Sequence, residues 1–191
     1  MPPYLERALF VVGEPNSGKS TQLRSMFLDV RLGTNQIIPS GRRLEEIYRL
    51  SNERCLYLRL TSPHEAGEHI GRKPGSARGS KDFLNKTSKV IVKHVPRIAK
   101  RWNFASALQP NASNNMPDAE TTCRAFVQRF RPERTRIVIL SPDRHGEHLP
   151  LERHLRLVAR LMEVPRTEIC SIDARHREMN GLFLADFFDF T

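Results

Sequence analysis

Residues 8–23 read ALFVVGEPNSGKSTQL, an apolar run followed by a glycine-containing turn and then by helix-forming residues. The run 8–12 is continuous and of strand length, which is typical of a strand buried on both faces of a parallel sheet. The apolar residues after the turn recur with the period of a helix, at Leu23, Met26, Phe27 and Val30. The segment therefore predicts a strand, a loop and a helix, in that order.

The turn has the spacing Gly13-x4-Gly18-Lys19-Ser20, which is the pattern of a phosphate-binding loop. Glycine tolerates backbone dihedrals that a Cβ opposes, so that successive N–H groups can converge on one anion. We expect Lys19 to reach the β and γ phosphates of a nucleotide and to act in catalysis, and the Ser20 hydroxyl to bind magnesium. The predicted nucleotide-binding residues are Gly13, Glu14, Pro15, Asn16, Ser17, Gly18, Lys19, Ser20 and Thr21.

The stretch GEPNSGKST, residues 13–21, resembles the P-loop NTPase superfamily, and its form GxPxSGKST is most similar to the kinase and ATPase branches. The resemblance rests on these nine residues alone. It implies a P-loop NTPase-like α/β fold, bound ATP and Mg²⁺, and transfer or hydrolysis of the γ phosphate. The alternative, a glycine turn that merely starts a helix, is disfavoured by the strand pattern before the turn and the helical pattern after it.

The chain has 191 residues, which is enough for one well-buried domain and few for two, so we expect a single nucleotide-binding domain over residues 1–191. No apolar run approaches the ~20 residues of a membrane helix. The first residues, MPPYLER, also lack the basic region and apolar core of a signal peptide. We therefore expect a cytoplasmic protein with no membrane partner. Three unclustered cysteines indicate reduced thiols rather than disulfides or metal ligands.

The formal net charge is +10, and 24 of the 31 basic residues are arginine. Arginine matches phosphate oxygens, so this charge favours an anionic partner, either nucleic acid, a nucleotide or an acidic protein. A solvated surface with an arginine-rich composition explains the charge equally well. The basic segment 70–81, IGRKPGSARGSK, has no apolar face and is predicted to be a flexible surface loop.

The rest of the chain alternates strand and helix patterns, which predicts a three-layer sandwich with helices on both faces of a mostly parallel, five-stranded sheet. We predict a short helix at residues 44–48 and a helix within 81–102 that Pro96 must bend or divide. Asp118 is the expected N-cap of the next helix. An apolar stripe predicts a further helix, with its members at Leu151, Leu155, Val158 and Met162. The tail 181–191 is expected to pack on the sheet. The predicted strands are 8–12, 54–60, 104–108, 136–140 and 168–172.

A P-loop enzyme usually needs a carboxylate near magnesium, at the end of a strand beside the loop strand. The third predicted strand ends in Gln109. If this strand neighbours the loop strand, as the resemblance implies, the usual acid is missing. Asp143 and Asp173 follow the fourth and fifth strands and are substitutes; we assign Asp143 as a candidate magnesium ligand and catalytic residue, although aspartate is also common at helix starts. Arg144 is a candidate to stabilise charge on the γ phosphate.

Two shorter patterns bear on the ligand. Residues 143–146, DRHG, imitate the DxxG motif of GTPases, but no NKxD follows, so that ATP is expected by elimination. Residues 62–69 and 141–148 share SPxxxGEH in register. Their paired glutamate and histidine could bind a metal or move protons. The favoured alternative is that Ser-Pro ends a strand and polar residues start a helix.

The leading hypothesis is therefore an ATP-binding, magnesium-dependent phosphotransferase of kinase-like architecture, or an ATPase. The alternative is a regulatory NTPase that binds nucleic acid or protein and has little activity without that partner. Gln109 and the lack of a recognisable substrate motif favour this alternative. A third hypothesis, a degenerate loop that binds phosphate without turnover, is opposed by the intact Lys19 and Ser20. The sequence does not predict an oligomeric state.

Overall fold

The computed structural model describes residues 4–32, 38–39, 45–68, 70 and 83–189, with only the backbone described at 96–98. Of the predicted basic loop at 70–81, all but residue 70 lies outside the described residues. Two 3₁₀ turns, Met26–Leu28 and Val30–Leu32, follow the first helix. The elements in chain order are β1 (Tyr4–Val12), α1 (Lys19–Ser25), β2 (Glu45–Arg49), β3 (Arg54–Arg59), α2 (Phe83–Ile98), β4 (Arg101–Leu108), α3 (Ala119–Phe130), β5 (Arg134–Leu140), α4 (Leu151–Met162), β6 (Thr167–Ile172) and α5 (Arg177–Phe188).

The strands form one sheet in the order β2-β3-β4-β1-β5-β6. Every neighbouring pair is parallel except β2 and β3, which are antiparallel. The predicted α/β class with a mostly parallel sheet is therefore confirmed. The third predicted strand, β4, lies directly beside β1, as the resemblance to kinase-like proteins implies. The carboxyl ends of β3, β4, β1, β5 and β6 meet at one edge of the sheet, where loops of parallel α/β proteins carry functional groups.

The predicted strand count of five was wrong, because residues 45–49 form a sixth strand where the sequence predicted a short helix. Ile47 pairs with Tyr57 of β3 in this antiparallel edge strand, and the Tyr48 ring lies 4.7 Å from that of Phe27. The apolar pattern is too short to distinguish a helix from a strand. The β-branched Ile47 and the aromatic Tyr48 favour a strand, and the free edge of β3 provides the partner with which this strand pairs.

Side chains of β1 alternate between two buried clusters, one on each face of the sheet. Leu9 and Val11 belong to a cluster with Leu23 of α1 and Leu184 of α5. Phe10 lies on the other face, where its ring centroid is 5.2 Å from that of Phe126 on α3. Helices α2 and α4 also contribute to this second cluster. The molecule thus has three layers, and each fully buried Phe or Leu contributes about 1.5–3 kcal/mol to stability.

Two helices differ from their predicted form. Helix α2 continues through Pro96 and ends at Ile98, because the N–H groups of Lys100 and Arg101 turn away to donate to the Glu53 carbonyl. Trp102, expected in this helix, is a buried residue of β4. The helix predicted at 151–162 is present as α4, but of its apolar stripe only Val158 packs against the core and the other three members face outward. Its exposed members are Leu151 (72%), Leu155 (57%) and Met162 (70%), whereas Leu161 is buried.

Helix α5 packs tightly against the segment that follows the 13–18 turn. Gly181 lies so close to Ser25 that a Cβ added there would be 2.3 Å from the Ser25 carbonyl oxygen. The Gln22 side chain donates to the Ala174 carbonyl at 2.7 Å. Leu184 and Phe188 are buried against the sheet, so the expected packing of the tail is confirmed for these residues.

The three thiols are free, as predicted. Cys55 and Cys123 are buried and Cys170 is partly buried. Burial raises the pKa of the Cys55 thiol to about 12, so the thiol stays protonated and unreactive at neutral pH. Among the helices within the described ranges, none has both the length and the apolar character needed to cross a membrane.

Candidate functional site

The loop between β1 and α1 owes its shape to two glycines and an asparagine. The Gly13 N–H donates to the Leu108 carbonyl at 3.2 Å, which fixes the start of the loop beside the end of β4. Asn16 and Gly18 both have left-handed backbones, with φ values of 60° and 99°. A Cβ at Gly13 would lie 2.4 Å from the Ser17 Oγ. Glycine is therefore favoured at position 13, where a Cβ would force the Ser17 side chain to shift, and at position 18, where the backbone is left-handed.

Backbone N–H groups without acceptors follow one another at the end of this loop. The N–H groups of residues 18–21 have no acceptor among the described residues. Gly18 precedes α1 and provides no side-chain cap for these groups. The Ser17 hydroxyl is also buried and has no hydrogen-bond partner within the described ranges. Buried donors without acceptors are costly, and an anion with several oxygens would satisfy them together.

Lys19 lies folded back over the loop. Only 5% of its surface is exposed, and its Nζ donates to the Glu14 carbonyl at 2.6 Å. Burial lowers the pKa of Lys19, while the negative charges of Glu65 and Glu14 act in the opposite direction. The ammonium group is thus held against the loop backbone, beside the unsatisfied donors. Ser20 and Thr21 follow in the first turn of α1, and both are partly exposed.

The outer side of the loop is tied to two neighbouring segments through Glu14. Its Oε1 accepts hydrogen bonds from Asn111 at 3.2 Å and from Arg153 of α4 at 3.1 Å. Pro15 and Asn16 are exposed at the tip. A cavity of about 260 Å³ lies between this side of the loop and α4. Its polar lining comes from Glu14, Ser17, Asp143, Glu147, His148 and Arg153.

The structure brings Asp143 and Arg144 next to the loop. The Arg144 N–H donates to the Ser17 carbonyl at 3.1 Å, and its side chain covers Gly18. Asp143 Oδ1 accepts from the N–H groups of His145 and Glu147 at 2.7 and 3.0 Å. Asp143 therefore orders its own turn and does not cap a helix, since α4 begins only at Leu151. No hydrogen bond among the described residues joins Asp143 to Ser20, so its role as a magnesium ligand stays a prediction.

The other two strand-end residues are engaged elsewhere. Gln109, at the end of β4, is buried and accepts from the Ser113 hydroxyl at 2.8 Å. Asp173, after β6, forms an ion pair of 2.6 Å with Arg175. The hydrogen bonds from Arg175 hold the pKa of Asp173 well below its ordinary value.

The two SPxxxGEH segments form different structures, which we name the β3 loop (residues 62–68) and the β5 loop (residues 141–148). In the β3 loop, Glu68 is buried and pairs with Arg59 at 2.8 Å. In the β5 loop, Glu147 and His148 are exposed beside the cavity. The last residue of the first segment, His69, lies outside the described residues. The part of the chain described here holds no group of three or more His, Cys, Asp or Glu positioned for a metal ion.

Two residues near the loop were missed by sequence reasoning. His64 is fully buried, with Nε2 2.7 Å from the Pro117 carbonyl and Nδ1 3.1 Å from the Ser62 hydroxyl. Glu65 follows it, is exposed, and acts electrostatically on Lys19. Their position just after a strand that ends at the same edge was a usable indication. The SPxxxGEH pattern shared by the two segments indicated residues 68 and 69 instead.

Arg153 on α4 is a further residue that sequence reasoning did not connect with the loop, which it contacts through an ion pair with Glu14. Comparison with models of known protein families, with curated proteins and with solved structures finds no match to this chain.

Proposed function

We propose that residues 13–21 bind the phosphate chain of ATP together with Mg²⁺, and that the protein transfers or hydrolyses the γ phosphate. The observation that supports this most strongly is the combination at the end of the loop. Four consecutive N–H groups, at residues 18–21, and the buried Ser17 hydroxyl lack acceptors among the described residues, beside the nearly buried Lys19. A phosphate chain has the charge and the number of oxygens to satisfy all of them.

Different groups of the loop contact different parts of the ligand in this proposal. The N–H groups at 18–21 and the Ser17 hydroxyl donate to phosphate oxygens. Lys19 exchanges its bond to the Glu14 carbonyl for phosphate oxygens, and this adds a full positive charge. The Ser20 hydroxyl would hold Mg²⁺, and the bound ion would neutralise negative charge on the transferred phosphate.

Arg144 fits a role in charge stabilisation, because its side chain lies over Gly18 and is exposed. An arginine in this position contributes to phosphate transfer by stabilising negative charge on the phosphate oxygens. The sheet order, with β4 beside β1, also agrees with a kinase-like arrangement. The choice of ATP over GTP rests on the lack of an NKxD motif after residues 143–146.

Calorimetric titration with Mg-ATP tests the proposal. We expect Lys19→Ala to lower the affinity about 10- to 100-fold, which corresponds to losing a hydrogen bond to a charged group. The matched control is Lys100→Ala, because Lys100 is 82% exposed at the opposite end of β4. Thermal unfolding of both variants checks that the fold is kept. Equal affinity for wild type and Lys19→Ala, or no binding by wild type, would contradict the proposal.

A partner-activated regulatory NTPase is the second candidate, and one observation favours it. The strand beside β1 ends in Gln109, whose neutral side chain is occupied by Ser113, where a catalytic carboxylate is usual. Such a protein binds Mg-ATP but turns it over slowly until a partner completes the site. Steady-state ATP hydrolysis with and without a homopolymeric RNA distinguishes the two functions. Stimulation by the RNA supports the second, and substantial turnover without RNA that the RNA does not raise supports the first.

A further inference from the structure

Glu14 forms hydrogen bonds on both sides of the loop between β1 and α1. Its backbone carbonyl lies on the inner side, where it accepts from the Ser17 N–H at 3.2 Å and from Lys19 Nζ at 2.6 Å. Its carboxylate lies on the outer side, where Oε1 accepts from the Asn111 side chain at 3.2 Å and from Arg153 Nη2 at 3.1 Å. One residue therefore connects the carbonyl that holds the loop lysine with two segments outside the loop.

The two donors outside the loop belong to segments that are joined to each other. Asn111 lies between β4 and α3, and Arg153 lies in the first turn of α4. Arg160 of α4 pairs at 2.5 Å with Asp118, which is the N-cap of α3. Leu161 anchors α4 further, because its side chain is fully buried in the core. The Glu14 carboxylate is thus held from two packed segments of the fold.

The loop itself adopts a conformation that its own residues only partly favour. Asn16 has a left-handed backbone, with a φ value of 60°, at a residue that carries a Cβ. The N–H groups of residues 18–21 have no acceptors among the described residues. Backbone arrangements that cost free energy persist where surrounding contacts fix them. The bonds to the Glu14 carboxylate are such contacts, and they act before any ligand is bound.

We propose that Glu14, held by Asn111 and Arg153, is a positioning residue for phosphate binding. These three residues, which we name the Glu14 clamp, keep the loop in the form that presents Lys19 and the N–H groups of residues 18–21 to a phosphate chain. This assignment rests on the proposed function. A loop that is already ordered loses less conformational freedom on binding, and a larger fraction of molecules is competent to bind. In this arrangement Arg153 acts through Glu14.

The charge of Glu14 and its role in the clamp predict opposite effects on affinity. A carboxylate near the loop repels phosphate, so the loss of its charge alone would raise the affinity for ATP. The loss of the clamp would lower the affinity, because the loop is no longer fixed from outside. A glutamine side chain keeps an oxygen that accepts hydrogen bonds but carries no charge. Glu14→Ala and Glu14→Gln therefore separate the two effects.

The test measures Mg-ATP affinity by calorimetry for wild type and for variants of the clamp. We expect Glu14→Ala to lower the affinity about 3- to 10-fold, as for the loss of a typical hydrogen bond, and Glu14→Gln to stay within about twofold of wild type. Arg153→Ala should also lower the affinity. The double variant Glu14→Ala/Arg153→Ala should stay within about twofold of Glu14→Ala, because both changes remove the same contact.

The matched control is Arg156→Ala, which removes the same charge from α4 without touching the clamp. Arg156 is 68% exposed and contacts only Glu152 among the described residues, so we expect an affinity within about twofold of wild type. Thermal unfolding of every variant should match wild type, since the side chains of Glu14 and Arg153 are 38% and 53% exposed.

Three results would overturn the clamp while the nucleotide site stands. They are an unchanged or higher affinity of Glu14→Ala, an equal loss in Glu14→Gln, and losses that add in the double variant. If wild type binds no Mg-ATP, the proposed function fails, and the clamp fails with it.

Discussion

The β3 loop buries His64 and Glu68, whereas in the β5 loop the corresponding residues Asp143 and Glu147 are half-buried and exposed. Both loops place a left-handed glycine at the same position, with φ values of 65° at Gly67 and 87° at Gly146. The backbone turn is therefore shared at this residue. The side chains differ, because each loop meets a different set of neighbours.

The neighbours of the β3 loop account for its burial. Arg59 is fully buried in β3 and lies over the Phe83 ring, so its charge requires a carboxylate within reach, and Glu68 provides one. Among the described residues, no buried arginine pairs with Glu147, which instead lines the cavity beside the loop at residues 13–18. A shared motif thus predicts the left-handed glycine of a loop, while the partner across the fold decides whether its acid is structural or open to a ligand.

The largest expected difference between the loops concerns their glutamates. Glu68→Ala should lower the free energy of unfolding by up to about 3–5 kcal/mol, because it leaves the buried Arg59 with only Glu45, at 3.1 Å, as a partner. Glu147→Ala should change it by about 0.5 kcal/mol or less, since Glu147 is exposed. Urea unfolding followed by circular dichroism measures both. Equal values for the two variants would mean that the ion pair of Glu68 adds no net stability.

The glycines should respond alike, and this sharpens the comparison. Gly67→Ala and Gly146→Ala should each cost about 1–2 kcal/mol, because both require a left-handed backbone at a residue with a Cβ. Space is not limiting, since a Cβ at Gly67 meets no atom within 4 Å and one at Gly146 lies 3.7 Å from Arg175. The same unfolding assay applies. A cost at only one glycine would show that the two turns are not equivalent.

The smallest effect is a pH dependence that belongs to the β3 loop alone. Burial lowers the pKa of His64 in the folded state, so the unfolded chain binds a proton first as the pH falls. The contribution of neutral His64 is complete above its unfolded pKa of about 6.5 and is lost below it, with a slope of up to about 1.4 kcal/mol per pH unit. The urea midpoint of wild type should therefore fall more steeply below pH 6.5 than that of His64→Gln. Parallel curves for the two proteins would contradict this.

Much of the fold followed from local patterns. The strand, loop and helix at residues 8–23 combine a buried apolar run, two glycines and a helical period, and these agree with one another. The five parallel strands were also found, because each is an apolar run between turns or helices. Residues 45–49 were not predicted as a strand, because the apolar pattern of five residues fits the period of a helix and that of a strand equally well. Only the pairing with the edge of β3 decides between them. The outward orientation of most of the apolar stripe of α4 was also not predictable. Periodicity shows that a helix has an apolar face, but it does not show which face packs against the sheet.

The candidate site was predictable where it depends on the loop and on strand ends. Asp143 and Arg144 were expected near the loop from their position after a strand, and the structure places them there. His64 and Glu65 were missed because their surroundings depend on the sheet order, which brings β3 next to β4. The partner of His64 is the Pro117 carbonyl, more than fifty residues away. No local pattern contains that information.

The contact of α5 with the helix that carries Lys19 has a consequence for synthesis of the chain. Gln22 bonds to a carbonyl 152 positions later, and Ser25 touches Gly181. A ribosome that has produced β1, the loop and α1 still lacks the residues that cover them. Contacts between residues so far apart in sequence form late and slowly. The apolar surface of α1 therefore stays exposed until α5 has been synthesised and packs against it. During this interval the exposed apolar surface favours association between chains, and a chain cut before residue 174 would carry the complete GEPNSGKST loop next to an uncovered α1.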